Sequence, residues 1–142
     1  VPHKPSVLFV CVKNGGKSQM AAGLLRAVAG DAVEVNSAGT SPGSAVNALS
    51  ARTLGELGID ITDRTPQLIT DEMARSADLV ITLSREVALT EFPGTRYENW
   101  DTDEPSERGI DGIDRMRLVR DDIAERVAEL AARIAPGTPR TR

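Results

Sequence analysis

The chain of 142 residues has one cysteine, one histidine, one tryptophan, one tyrosine and two phenylalanines, and each scarcity excludes something. With a single thiol, Cys11, no disulfide forms within the chain, and with a single imidazole no site of several Cys and His ligands can be built. The few aromatics and a formal net charge of -4 leave neither a base-stacking platform nor a basic stripe, which excludes a nucleic-acid partner. Any attraction for an anion must be local. No apolar run approaches the length of a membrane span, and "VPHKPS" lacks the apolar core and cleavage site of a secretory signal, so a cytosolic protein with no membrane partner is expected. Lysine is scarce too. Only Lys4, Lys13 and Lys17 occur among many arginines, a bias that reads as a GC-rich genome and makes two lysines in one loop notable.

What is present fits one domain with its own core. Residues 1 to 5, with His3, read as a tail; residues 6 to 136 as the domain; residues 137 to 142 as a second tail. "SVLFVCV" is a buried strand ending near Cys11, bounded by Asn14-Gly15-Gly16, and "QMAAGLLRAVAG" is a helix capped by Ser18, with Met20, Leu24, Leu25 and Val28 at helical spacing and Gly30 as its stop. "AVEVNSAGT" gives a second strand, "SPGSAVNALSARTLGELG" a helix, "DEMARSA" a short helix, "DLVITLS" a strand, "EVALTEFPG" a short helix and "TRYENW" a fourth strand. From Ile110 to Ile134, the residues Ile113, Met116, Val119, Ile123, Val127, Leu130 and Ile134 share one face of a long helix whose charged face reads as solvated. Strands alternating with helices imply an α/β fold, a four-stranded mostly parallel sheet with helices on both faces, and a ligand site at the carboxyl ends of the strands, where Cys11 sits.

"CVKNGGKS" ends like the nucleotide loop G-x-x-x-x-G-K-[ST], but Cys11 stands where that loop has its first glycine, and no strand ends in an acid to hold magnesium. The alternative is a thiol loop. Backbone N–H groups from Val12 to Ser18, with Lys13, Asn14, Gly15, Gly16 and Lys17 between them, can curl around a tetrahedral oxyanion at a helix N-terminus. Thiols in such fields fall from about 8.5 to roughly 3.5–7.5 in pKa, so Cys11 is expected as a thiolate at neutral pH. The blander reading, a small buried hydrophobe at a strand end, is opposed by the two glycines and two lysines that follow.

These residues resemble the low-molecular-weight tyrosine phosphatase superfamily, and more closely its arsenate reductase branch. The likeness runs in order along nearly the whole chain: C-x5-[basic]-S-Q-M-A at Cys11 to Ala21, "NSAGT" at 36 to 40, "GIDI", "DLVITL" at 78 to 83, "W-x-x-D-[acid]-P" at 100 to 105, and "RLVRDDI" in the last helix. The resemblance implies that Cys11 is the nucleophile, that Asn14 and Ser18 order the loop, and that Ser37 lies behind it, its hydroxyl within reach of Asn14. It also implies that the acid before Pro105 is the general acid, Glu104 by alignment, with Asp103 beside it as substitute.

Three departures refine the expectation. Lys17 stands where the phosphatases carry Arg, a point charge in place of a planar fork. Ser84 stands where thioredoxin-coupled arsenate reductases have a second Cys, so the chain cannot run an internal disulfide cascade. Gln67 replaces an acid that contributes to a potassium site in some relatives, so no bound metal is expected. Arg64, near the active-site loop in those proteins, either favours the Cys11 anion or is a surface residue. The pattern resembles the single-cysteine actinobacterial arsenate–mycothiol transferases. That resemblance implies arsenate as substrate, mycothiol as co-substrate, mycoredoxin as the reductant that completes turnover, no tightly bound cofactor, and a monomer. The rivals are a tyrosine phosphatase, a reductase using another external thiol, a nucleotide switch and a noncatalytic oxyanion sensor.

Overall fold

The computed structural model describes residues 4–134. Of the expected tail at 1–5, residues 1–3 with His3 lie outside the described residues, as does the tail at 137–142, while the Pro5 carbonyl accepts from the Glu34 N–H beside the sheet. Four strands, β1 (Ser6–Cys11), β2 (Glu34–Gly39), β3 (Leu79–Thr82) and β4 (Arg96–Asn99), form one sheet in the order β2-β1-β3-β4. Every neighbouring pair is parallel, with Cys11 opposite Gly39 and Val10 opposite Thr82. The sheet is therefore wholly parallel, with β1 inside it.

Alternation along β1 divides the core. Val7 and Phe9 face the larger cluster, while Leu8 and Val10 face a smaller one with Ala38, Ala77 and Val80. Three helices, α1 (Lys17–Ala29), α2 (Ala48–Gly55) and α4 (Gly112–Ile134), cover the larger side, and α3 (Asp71–Ser76) contributes Met73 to the smaller. On α4 the residues Met116, Val119, Ile123, Val127 and Leu130 are buried, as their spacing requires. Phe9 packs against Trp100 with ring centroids 5.7 Å apart. No helix among the described residues is long and apolar enough to cross a membrane.

Several local expectations are corrected. Helix α1 begins at Lys17 with Gly16 as its cap, so Ser18 lies inside the first turn and its hydroxyl is free for the site; Val28 is 59% exposed. Helix α2 starts only at Ala48, because Asn47 caps it by accepting from the Ser50 N–H. The segment "EVALTEFPG" is not helical: Val87 and Leu89, two residues apart, both pack on the smaller core, which is the period of extended chain. The charged face of α4 is also not merely solvated. Arg120 is 9% exposed and donates to the Thr53 carbonyl and to Glu56, while Arg117 grips Glu56 and Arg133 grips Glu98.

Candidate active site

Strand β1 delivers Cys11 to the carboxyl edge of the sheet, and the chain then loops through residues 12–16 into α1. Every carbonyl of this loop is already engaged. Cys11, Val12, Lys13 and Gly15 accept from the N–H groups of Thr40, Ser41, Gly43 and Asn47; Asn14 accepts from the Gln19 side chain and Gly16 from Met20. With the carbonyls turned outward, the N–H groups of Gly15, Gly16, Lys17 and Ser18 have no acceptor among the described residues and are left for the concave side. This is the donor cradle an oxyanion needs, placed at a helix N-terminus. It also explains the late start of α2: segment 40–47 spends its donors on the loop.

The thiol is held by two contacts, the Asn14 N–H at 3.2 Å and the Ser18 hydroxyl at 2.9 Å. The Asn14 amide donates to that same hydroxyl at 2.8 Å. A serine hydroxyl that accepts from Asn14 still has its one proton, so it can donate to Cys11 Sγ when that sulfur is a thiolate. The Asn14 N–H donates to sulfur in any case, and Ser18 can add a second donor. Asn14 itself is fully buried in a left-handed conformation, φ 52°, and its side-chain oxygen accepts from the Gln67 N–H at 2.9 Å and from Gln19. Gly39 lies under the loop, where a Cβ would come within 2.5 Å of the Val12 carbonyl oxygen. Only glycine allows that approach.

Beside the loop opens a cavity of about 390 Å³, lined by Cys11, Lys13, Lys17, Ser84, Arg115 and Met116 among others. Lys13 and Lys17 have no acidic partner among the described residues, so their charge is available to a ligand. None of the lining residues is aromatic or acidic. Neither expected acid lies on this wall. Glu104 is paired with Arg115 by two hydrogen bonds of 2.7 and 2.6 Å and also accepts from Ser106. Chiefly through Arg115, then Ser106, its carboxyl is drawn down to about 2, so at neutral pH it has no proton to give. Asp103 is gripped by Arg108 in the same manner and also held below its ordinary value. As placed, both are counter-ions.

The model for low molecular weight phosphotyrosine protein phosphatases matches residues 6–138. The chain belongs to that family. Its relatives include the arsenate reductase of Bacillus licheniformis, 33% identical over 137 residues covering 90% of this chain and 96% of that protein. The arsenate reductase of Bacillus subtilis is 32% identical over 132 residues, covering 88% and 94%. Among solved structures, a thioredoxin-dependent arsenate reductase of Corynebacterium glutamicum superposes with TM-score 0.78 at 38% identity over 92% of this chain, which spans 61% of that longer one. An arsenate reductase in the phosphate binding state superposes with TM-score 0.79 at 31% identity, covering 92% and 99%.

Within this phosphatase family frame, two further expected residues are placed differently. Ser37 is buried on β2, but the group that reaches Asn14 is Gln67, whose side chain also donates to the Ser37 carbonyl at 2.8 Å. Arg64 is exposed and off the cavity wall; its charge is felt by Arg26. At the position where some relatives carry an acid, Gln67 instead presents N–H donors, to the Asn14 side-chain oxygen and to the Ser37 carbonyl. Gln19, segment 40–47 and Arg115 were missed from the sequence, and Gln67 was legible there only as a lost acid, not for its bond to Asn14. The "SQM" stretch carried a signal for Gln19, because a glutamine in the first turn after a glycine loop can reach back to it.

Proposed function

We propose that this chain reduces arsenate with an external small thiol, as an arsenate–mycothiol transferase whose product is reduced by mycoredoxin. The observation that carries the reading is the cavity wall: the lone Cys11 shares it with Ser84, so a second thiol must come from outside the chain. The names of the relatives support arsenate, and Lys17 in place of an arginine fork, with no aromatic on the wall, weighs against an aryl phosphate.

In this reading the loop N–H groups, Lys13 and Lys17 bind arsenate. The Cys11 thiolate attacks arsenic, a sulfur–arsenic bond forms, and an oxygen leaves as water with protons carried in by the substrate and solvent. The external thiol then attacks arsenic, releases the Cys11 thiolate and gives up its own proton, leaving arsenic(V) on the small thiol. A mycoredoxin thiolate attacks the sulfur of that adduct; two electrons pass to arsenic, arsenite departs, and a mixed disulfide remains for the reductase system. Glu104, ionised on Arg115, is a counter-ion in this scheme.

The test is arsenite release from purified protein with arsenate, with either mycothiol plus mycoredoxin or thioredoxin alone, each with its reductase. Turnover in the first and loss of at least a thousandfold in Cys11→Ser are expected. Turnover with thioredoxin alone would move the chain to the direct thioredoxin class. Undiminished turnover in Cys11→Ser would end the proposal.

A further inference from the structure

The cavity beside Cys11 has more room than an oxyanion of five heavy atoms needs; about 390 Å³ lies in the range of sites for small organic ligands. Away from the loop its lining passes to Ser84, Arg115 and Met116, with Leu83 and Val119 buried behind them, so that one guanidinium stands beside an apolar edge. Arg115 is fixed by Glu104 through Nε and Nη2. Its Nη1 has no acceptor among the described residues. A guanidinium held by one edge is a pre-oriented donor at the other, and it keeps its charge at any working pH.

Resting on the arsenate reading above, we propose that this far side is the subsite for the small thiol co-substrate. The thiol's carbon skeleton lies beside Ser84 and Met116, an oxygen acceptor of its body receives Arg115 Nη1–H, and its sulfur is thereby aimed at arsenic held over Cys11. Arg115 determines specificity for the second substrate, as the loop does for the first. Glu104 is the positioning residue that holds Arg115. Continuity of the cavity with Cys11 fits this occupant, because the thiol must reach the atom that the loop holds. The absence of any acid from the lining, with Lys13, Lys17 and Arg115 on it, fits an acceptor-rich thiol and not a cationic one.

The experiment is steady-state arsenite formation with mycothiol, and in parallel with glutathione, varying thiol and arsenate separately. Variants are Arg115→Met, Arg115→Lys and, as the contrasting change in the loop, Lys17→Gln. Both members of the Arg115–Glu104 pair are about 30% exposed, so water can take over Glu104 and folding should be retained; circular dichroism checks this. Arg115→Met is expected to raise the thiol KM about tenfold or more, the worth of one charge-assisted hydrogen bond, with less than twofold change in the arsenate KM. Arg115→Lys should restore part of it, and Lys17→Gln should show the opposite split. Calorimetry with the inert S-methyl thiol, and with phosphate as an oxyanion probe, should show the same division. Wild-type turnover with a thiol KM unchanged in Arg115→Met, or with both KM values rising together, overturns the subsite alone. No wild-type turnover with either thiol overturns the arsenate reading and the subsite with it.

Discussion

At Cys11 the chemistry depends on where one proton points. The Ser18 hydroxyl accepts from Asn14 and has its own proton left to donate to a thiolate sulfur. Ser18→Ala removes that donor, and the rate of Cys11 alkylation by iodoacetamide at pH 7 should fall about tenfold, since a hydrogen bond to a charged group is worth roughly 1.5–3 kcal/mol. Glu104 gives a second prediction. A general acid contributes about 10²–10⁴ in rate, whereas a counter-ion of Arg115 does not, so Glu104→Gln should keep kcat within tenfold and leave its pH profile in shape. A hundredfold loss of kcat would return Glu104 to the role that its alignment suggests. Cys11, Lys13 and Lys17 were legible in the sequence because each carries its chemistry in its own side chain. Gln67 and Arg115 were not, because their meaning comes from partners 53 and 11 residues away.

Among elements, the strand, loop and helix from Ser6 to Ala29 were readable, since a β-branched run, two glycines and a helical period follow one another directly. The errors fell where backbone donors serve another element. Residues 41 to 47 precede a helix, yet the N–H groups of Ser41, Gly43 and Asn47 are taken by loop carbonyls; "EVALTEF" has no glycine to warn of extension, yet Val87 and Leu89 pack at a spacing of two. The contact between β2 and the loop can be tested at Gly39. A methyl there meets backbone, 2.5 Å from the Val12 oxygen and 2.9 Å from the Asn14 nitrogen, and backbone cannot swing aside as a side chain can. Gly39→Ala should cost about 1–3 kcal/mol in urea unfolding and abolish the protection that arsenate gives Cys11 against alkylation. Unaltered protection would mean that the loop does not depend on this approach.

Over the whole molecule, α4 acts as a spine whose arginines tie down acids from elsewhere: Arg117 and Arg120 hold Glu56, Arg115 holds Glu104, Arg133 holds Glu98. The Glu56 and Glu104 carboxyls are drawn from 4.5 to about 2 by these partners. A carboxyl lowered in the folded state stabilises it fully above the unfolded value and progressively less as pH falls through the folded one. Tm should therefore be level near neutrality and fall between about pH 4.5 and pH 2, and Arg120→Met should flatten part of that fall. A Tm that stayed constant through this window would show the pairs to be energetically idle. Ser84 on the wall facing the only cysteine has a different kind of consequence. Lacking a second thiol, the chain cannot store an oxidised state as an internal disulfide between encounters, so it keeps no record of that kind of its last reaction. Oxidation of Cys11 must then end in an oxygen adduct, a ring with a backbone nitrogen or a bond to a foreign thiol, and each changes the mass by its own amount.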